Sequence, residues 1–304
     1  MNIMMNNPIN KILEKVQKKL EISKGFEKVE KGTRSEVYLS KDFIVKINEN
    51  STVLQQEGSI LRSLDFAIVQ KVIDFFIFNG HGVLVEKRLL GESLDEIWKN
   101  LRDKNKNKII EDLTDFVFKI NKVKYDYFWS VQYNKKFKSY DELLFHKFRS
   151  YKEKISGNEK AYELFRKISD YIQENKIKEI FSDSIPVLVH GDLIIHNLLS
   201  DGGGLTGVLD WEYVQYGDVF YDLARVIYYQ ECAKAYVEEG RDEFFEYDFT
   251  TRLIDGLQSK IKFDGEKYRI IRSFYFIDTI IWALTSKESE KNLSGLTPPV
   301  FREW

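Results

Sequence analysis

Apolar residues at the start of the chain recur every three to four positions, and further along they change to short contiguous runs. Between Ile9 and Leu20 they alternate with lysines and glutamates, which predicts an amphipathic helix packed on a lobe. From residue 26 to residue 88 the runs are rich in Val, Ile, Phe and Tyr and are separated by turn signals. The predicted strands are residues 26–30, 36–40, 43–47, 68–78 and 82–87.

One helical stretch, residues 52–64, interrupts these runs, so the order β-β-β-α-β-β predicts a small antiparallel sheet with one main helix. After Gly91 the pattern is mostly helical, with a second, short β region further on. The strands of that region are predicted at residues 187–190, 197–200 and 207–209. We therefore predict an α+β fold with two lobes, an N-terminal lobe of residues 1–88 and a mostly helical C-terminal lobe of residues 89–304.

The composition excludes several classes of protein. The 46 basic and 48 acidic residues give a formal net charge of −2, so the chain lacks the global basic field of a nucleic-acid-binding protein. Cys232 is the single cysteine, which excludes an internal disulfide and a thiolate metal cluster and indicates a reducing compartment. No apolar run approaches the roughly 18 residues of a membrane span. We expect a cytoplasmic protein that binds neither nucleic acid nor membrane and is a monomer by default.

The segment around residue 190 carries the most informative polar residues. An apolar run leads into His190-Gly191-Asp192, and Asn197 follows Asp192 by five residues. A second apolar run ends in Asp210, thirteen residues after Asn197. The spacing predicts phosphoryl transfer from a nucleoside triphosphate, in which Asp192 takes the hydroxyl proton while Asn197 and Asp210 hold Mg²⁺. A hairpin turn and a strand-end cap would account for each residue alone, but not for their joint spacing.

A lysine in the small sheet provides an independent check on the prediction of phosphoryl transfer. Lys46 lies among Ile and Val residues of the third predicted strand, and Glu57 lies in the helix that follows. An ammonium in a half-buried strand needs a partner, because an unpaired buried charge is costly. Taken alone, Lys46 fits an edge-strand charge. Together with the downstream residues, it predicts a phosphate-binding lysine that Glu57 orients.

These residues resemble the eukaryotic-protein-kinase-like superfamily and, within it, the aminoglycoside phosphotransferase family of small-molecule kinases. Residues 190–197, hereafter the catalytic loop, are similar to that family's H-G-D-x(4)-N motif. Residues 207–211 resemble its apolar strand ending in I-D-W, and residues 217–224 resemble its G-D-P-x-x-D-L-A segment. The resemblance extends from about Phe26 to Ala224. It implies a bilobal, protein-kinase-like fold with ATP or GTP as phosphate donor and Mg²⁺ as cofactor.

The resemblance assigns the same roles to the residues named above and adds others around them. Val85 would stand behind the nucleotide, and the backbone groups of Glu86 and Arg88, on the hinge between the lobes, would hydrogen-bond the purine. Asp222, at the start of a helix, would brace the backbone of the catalytic loop. His190 would pack inside that loop.

The sequence departs from the protein-kinase pattern in two places. It lacks the G-x-G-x-x-G loop, so phosphate contact there is left to Gly32 and the backbone N–H groups near Ser35. No A-P-E segment follows Asp210, and only twelve residues separate it from Asp222, which disfavours a protein substrate. His196, inside the catalytic loop, is interpreted as a packing or hydrogen-bonding residue.

The acceptor is predicted from a local excess of acidic residues. Residues 231–248 carry a net charge of −5 in a near-neutral chain, with aromatic side chains interleaved. Such a surface would attract a polycationic aminoglycoside, although each exposed contact contributes only about 0.2–1 kcal/mol. A solvated helix face would explain the same charges. The predicted acceptor-binding residues are Asp192, Glu231, Glu238, Glu239 and Asp242.

The function predicted from these features is that of an antibiotic O-phosphotransferase, which uses ATP or GTP with Mg²⁺ and confers resistance. A metabolic small-molecule kinase of the same fold is the alternative, because the same catalytic residues would serve an acceptor such as choline, homoserine, a methylthiopentose or a fructosamine. A non-catalytic nucleotide-binding module is disfavoured, since the nucleotide-binding and catalytic residues are all present. The sequence leaves the purine preference open.

Overall fold

The computed structural model describes residues 8–29, 35–155, 157–172, 174–238, 240 and 244–285. The chain divides into two compact units, Met1–Leu94 with Asn197–Glu212 and Asp95–His196 with Tyr213–Trp304. The first unit extends past the predicted boundary at residue 88 and includes a later segment of the chain. It does so because one strand of that later segment pairs with a strand at residues 92–93.

The helices and strands of the described residues are numbered in chain order. The strands are β1 (Glu27–Lys28), β2 (Glu36–Leu39), β3 (Phe43–Asn48), β4 (Val72–Phe78), β5 (His81–Lys87), β6 (Glu92–Ser93), β7 (Phe128–Ser130), β8 (Lys135–Phe137), β9 (Val187–Val189), β10 (Leu198–Ser200), β11 (Leu205–Val208) and β12 (Gln215–Gly217). The helices are α1 (Pro8–Lys19), α2 (Ser51–Ser63), α3 (Leu94–Ile97), α4 (Asp103–Ile120), α5 (Tyr140–Ile155), α6 (Glu159–Tyr171), α7 (Glu174–Ile180), α8 (Tyr221–Glu238), α9 (Phe244–Gln258) and α10 (Gly265–Thr285).

An antiparallel sheet in the order β1-β2-β3-β5-β4 forms the centre of the first unit's described part. Helix α2 lies in the chain between β3 and β4, so the predicted small sheet with one main helix is confirmed. Strand β4 begins at Val72 rather than at the predicted residue 68. The reason is a turn just before it, in which Val69 N–H donates to the Phe66 carbonyl at 3.1 Å.

The two faces of this sheet bury different side chains. Strand alternation places Val45 and Val85 in the apolar cluster that also contains the buried residues of α1. Lys46 and its register partner Leu84 lie on the opposite face. A Cβ on Gly58 of α2 would lie only 2.9 Å from Leu84 Cδ1, so α2 packs closely on that second face.

A hairpin from later in the chain completes the first unit. Strands β10 and β11 pair antiparallel with Leu198 opposite Val208, and β6 pairs with β10. Val208 N–H donates to the Ile68 carbonyl at 2.9 Å, which connects the hairpin to the residues before β4. Gly91 has φ +135°, and a Cβ there would lie 2.4 Å from Thr206 Oγ1, so this approach requires glycine.

The second unit is mostly helical, as predicted, with a small sheet in the order β8-β7-β12-β9. Its helices bury large aromatic side chains, such as Tyr140, Tyr151, Phe249 and Phe274. The three-residue strands β7, β8 and β12 were not predicted. Of the helices in the described ranges, none is long and apolar enough to cross a lipid bilayer.

Candidate functional site

Lys46 contacts two buried carboxylates in the first unit. Its Nζ lies 2.5 Å from Glu57 Oε1, on α2, and 3.7 Å from Glu86 Oε2, on β5. Both glutamates are buried, and the Lys46 side chain is 12% exposed. Lys46 pairs in register with Leu84, so Glu86, two residues further along β5, shares its face. The two residues predicted to pair therefore do so, beside a second carboxylate that the sequence did not indicate.

The neighbouring charges decide the protonation of this cluster. Burial lowers the pKa of Lys46, but three carboxylates outweigh burial and raise it. They belong to Glu57, Glu86 and Asp210. Burial also raises the pKa of Glu86 to about 7, although Lys46 opposes this shift. Lys46 therefore keeps its positive charge at neutral pH, whereas Glu86 titrates near neutrality.

Asn197 and Asp210 are neighbours at the end of the β10–β11 hairpin. The Asn197 carbonyl accepts a hydrogen bond from Leu209 N–H at 2.8 Å, and Asp210 is the next residue along the chain. Asp210 has φ +63°, a left-handed conformation that is uncommon for a residue other than glycine. Its charge also raises the pKa of Lys46. The lysine, the amide and the carboxylate predicted to act together thus all belong to the first unit.

The oxygen atoms of Asn197 and Asp210 suit a hard cation such as Mg²⁺. In proteins this ion takes one or two carboxylates and completes its shell with water and phosphate oxygens. Within the described ranges, no three His, Cys, Asp or Glu side chains form a group that could hold a metal ion by themselves. The pair therefore fits a metal ion that protein and phosphate would hold jointly.

Asp222, at the start of α8, holds the backbone of the loop that carries Asp192. Its carboxylate accepts hydrogen bonds from His190 N–H at 3.0 Å and from Gly191 N–H at 2.7 Å. Gly191 has φ +87°, and a Cβ there would lie 2.5 Å from the Tyr213 carbonyl oxygen, so only glycine fits. Burial raises the pKa of Asp222 to about 6, against the lowering effect of the two backbone bonds. The bracing contact expected of Asp222 corresponds to these bonds.

Asp192 is paired with an arginine that sequence reasoning missed. Arg225 donates to Asp192 Oδ1 from Nε at 2.9 Å and from Nη2 at 2.7 Å. Asp192 is buried. Arg225 follows Asp222 by three residues on α8, a spacing that places both on one side of the helix. That spacing is the signal in the sequence that could have indicated Arg225.

His196 links the end of the catalytic loop to two carboxylates of the second unit. Its Nδ1 lies 2.9 Å from Asp95 Oδ2, and its Nε2 lies 3.1 Å from Glu246 Oε1. The hydrogen bond to Glu246 is the strongest influence and raises the pKa of His196, Asp95 adds to this effect, and partial burial opposes it. His196 is thus a hydrogen-bonding residue, with partners distant in sequence.

The residues predicted to bind the acceptor differ in their partners and in their exposure to solvent. Glu231 Oε2 lies 3.0 Å from Arg272 Nε, so its charge is already compensated. Glu238 is exposed at the C-terminal end of α8. Glu239 and Asp242 lie outside the described residues.

Two other acidic residues of the same stretch also have partners within the second unit. Asp248 Oδ2 lies 3.0 Å from Lys106 Nζ, and its Oδ1 lies 2.8 Å from Arg252 Nε. Glu246 contacts the His196 ring. The negative charge counted along residues 231–248 is therefore partly neutralised inside the second unit, and it overstates the charge left to attract a cation.

The residues expected around the purine lie on and just after β5. Val85 lies in the apolar cluster with α1, so its side chain does not share the face of Lys46. Arg88 N–H donates to the Asp42 carbonyl at 2.9 Å. Because hydrogen-bonded pairs alternate along an antiparallel ladder, Glu86 N–H, two residues earlier, is also directed at β3. These two N–H groups are therefore engaged within the sheet, and the purine contact expected of this backbone stays a prediction.

The segment expected to cradle phosphate is described only in part. Gly32 lies outside the described residues. Ser35, just before β2, accepts a hydrogen bond at its hydroxyl from Asn48 Nδ2 at 3.0 Å. This bond joins the start of β2 to the end of β3 and fixes the chain at that point.

A comparison with protein-family models matches residues 25–256 to the phosphotransferase enzyme family. That range covers the sheet of the first unit, the catalytic loop and helix α8. No curated protein sequence matches the chain significantly.

Solved structures of aminoglycoside phosphotransferases share the fold at low sequence identity. A thermostable mutant of APH(4)-Ia, in ternary complex with AMP-PNP and hygromycin B, is 12% identical, with a TM-score of 0.67 over 93% of this chain and 95% of that one. The streptomycin–ATP–APH(2'')-IIa ternary complex is 16% identical, with a TM-score of 0.63 over 96% of each chain. The gentamicin–APH(2'')-IIa complex is 17% identical, with a TM-score of 0.65 over 95% of this chain and 96% of that one. The predicted fold class is confirmed.

Proposed function

The chain belongs to the phosphotransferase enzyme family, and on that basis we propose that it transfers the terminal phosphate of a nucleoside triphosphate to a hydroxyl group of a small molecule. The observation that carries the proposal is the buried Lys46–Glu57 ion pair. The charge of Asp210 also raises the pKa of this lysine. A buried ammonium held between carboxylates is a site prepared for phosphate oxygens.

Within this proposal the first unit binds the nucleotide. Lys46 contacts the α- and β-phosphates, and Glu57 keeps its ammonium in place. Asn197 and Asp210 would hold Mg²⁺, which, when bound, neutralises charge on the β- and γ-phosphates. We take ATP or GTP as the donor. Nucleotides are present in two solved structures of similar fold, one with AMP-PNP and one with ATP.

Asp192 acts on the acceptor. The acceptor oxygen forms a bond to the γ-phosphorus while the bond from that phosphorus to the β–γ bridging oxygen breaks, and the hydroxyl proton passes to the Asp192 carboxylate. The nucleoside diphosphate leaves with the bridging oxygen. Asp222 supports this step by holding the backbone N–H groups of His190 and Gly191.

We propose an aminoglycoside-type antibiotic as the first candidate acceptor, so that the enzyme would confer resistance. Support comes from the solved structures of similar fold, which contain hygromycin B, streptomycin and gentamicin. Glu238, exposed at the end of α8, is available to a cationic group in solution. We further propose a cytoplasmic monomer, in keeping with the single cysteine, Cys232.

A metabolic hydroxyl compound of lower positive charge is the second candidate acceptor. The observation that favours it is the set of ion pairs that neutralise Glu231 and Asp248, together with the hydrogen bond between Glu246 and His196. An acceptor with several ammonium groups would have to compete with these internal cations, whereas choline, homoserine, a methylthiopentose or a fructosamine would depend on them less.

A coupled assay of nucleoside diphosphate release tests the proposal and separates the two acceptor classes. The purified chain is incubated with Mg²⁺ and with ATP or GTP, against a panel of aminoglycosides and the named metabolites. We expect turnover with one class, a product heavier by one phosphate group, and loss of both on chelation of Mg²⁺. Absence of turnover above solvent hydrolysis with every acceptor and both nucleotides would refute the proposed function. A resistance profile of cells expressing the chain then tests the antibiotic role.

A further inference from the structure

Helix α8 contacts both the backbone of the catalytic loop and the side chain of Asp192. Asp222, in its first turn, accepts the N–H groups of His190 and Gly191. Arg225, one turn later, donates two hydrogen bonds to Asp192 Oδ1. One rigid element thus fixes the loop backbone and the carboxylate that the proposed reaction uses.

The surroundings of Arg225 show that this contact is more than a surface ion pair. The Arg225 side chain is 22% exposed and that of Asp192 is 11% exposed, so water screens the pair weakly. The guanidinium also lies 5.0 Å from the centre of the Tyr275 ring, which fixes its plane on a second side. Burial lowers the pKa of Arg225, but the charge and hydrogen bonds of Asp192, together with neighbouring tyrosines, outweigh burial and raise the pKa. The arginine therefore stays charged and has few alternative positions.

Two donors on one carboxylate oxygen have a definite geometric effect. A lysine would bind Asp192 through a single rotatable ammonium, whereas the planar guanidinium presents two donors of fixed geometry to Asp192 Oδ1 and so fixes where that oxygen lies. Proton acceptance from a hydroxyl requires hydrogen-bond distance and alignment. Displacement of a reacting group by about 1 Å can cost about 10²-fold in rate.

We propose that Arg225 is a positioning residue for phosphoryl transfer, which holds the Asp192 carboxylate in place through its Oδ1 oxygen. The inference rests on the proposed function and adds to it a residue that acts through Asp192 without touching nucleotide or acceptor. The competing interpretation is an ion pair that only stabilises α8 against the loop. The two interpretations differ in what the removal of Arg225 does to turnover once Asp192 itself is absent.

A double-mutant cycle between Arg225 and Asp192 tests the inference. Turnover is measured for the wild type, Arg225→Met, Asp192→Asn and the double variant, with intrinsic nucleotide hydrolysis as a second readout. We expect Arg225→Met to lower kcat about 10²-fold and to change the KM for nucleotide less than about threefold. In the Asp192→Asn background we expect the same substitution to have little further effect, because the residue through which it acts is gone. Arg225→Lys should recover part of the lost kcat.

Arg252→Gln is the matched control. Arg252 also pairs through Nε with an aspartate, Asp248, at 2.8 Å and is 28% exposed, but it lies on α9, and its other hydrogen bonds go to Asn107 and Asp103. A kcat for Arg225→Met equal to that of Arg252→Gln, or a full additional loss in the Asp192→Asn background, would overturn the inference and leave the proposed function intact. An inactive wild type would overturn both. Thermal unfolding of each variant identifies any that fail to fold, and Arg225→Lys then carries the test.

Discussion

Lys46 Nζ lies 2.5 Å from Glu57 Oε1, and this ion pair joins β3 to α2 on the face of the sheet opposite α1. Both partners are nearly inaccessible to solvent. A pair this buried adds little net stability, because desolvation offsets the attraction between its charges. Ligand binding explains the pair better, since a lysine fixed by a carboxylate presents its charge to phosphate without reorganisation.

Replacement of Lys46 by methionine should abolish this charge and weaken the use of nucleotide. We expect kcat/KM for the nucleotide to fall by about 10²–10³-fold, the usual effect of removing one preorganised electrostatic group. Lys19→Met is the control, because Lys19 pairs with Asp74 at 2.7 Å but is 58% exposed. Equal kcat/KM values for the two variants would show that Lys46 has no role in nucleotide binding.

Glu86 should make the stability of the protein depend on pH. Burial raises its pKa in the folded chain to about 7 from an ordinary value of 4.5. Between these values the folded state holds a proton that the unfolded state has released, so a rise in pH favours unfolding. The Glu86→Gln variant lacks this ionisation. We compare the free energy of unfolding in urea of this variant with that of the wild type. The difference, variant minus wild type, should therefore increase as the pH rises from 5 to 7 and stay constant above pH 8. A constant difference across this range would contradict the assignment.

Gly191 should tolerate no side chain. Its φ of +87° is unfavourable for alanine. Independently of φ, an added Cβ would lie 2.5 Å from the Tyr213 carbonyl oxygen. Gly80→Ala is the matched control, since Gly80 has φ +83° with open space around it. We expect about 1–3 kcal/mol of destabilisation in urea for Gly80→Ala, from its backbone conformation alone. Gly191→Ala should lose more and should also lose turnover. Equal stability and full turnover in both variants would contradict the close approach.

The features that the sequence indicates most clearly are those whose signals are local. Lys46 stands out as a charge within an apolar strand, and Asn197 and Asp210 stand out at the ends of two short apolar runs. The five strands and main helix of the first unit follow from periodicity and turn residues. Such features can be recognised without the tertiary structure, because they depend on neighbouring residues in the chain.

The features missed depend on register and on distant partners. The sequence does not fix which alternate residues of β5 face Lys46, and the observed register puts Glu86 there instead of Val85. Arg225 pairs with a residue 33 positions away. The acidic stretch was overestimated for the same reason, because cations such as Arg272 come from other helices. These pairings are properties of tertiary packing rather than of any local pattern.

The most direct test of the account is single-turnover phosphate transfer by Asp192→Asn, with nucleotide affinity measured on the same preparation. The substitution keeps the shape of the side chain and removes its charge. We predict a nucleotide dissociation constant within about threefold of the wild-type value and a transfer rate lower by about 10²–10⁴-fold. Transfer at the wild-type rate would contradict the role assigned to Asp192 and the mechanism built on it.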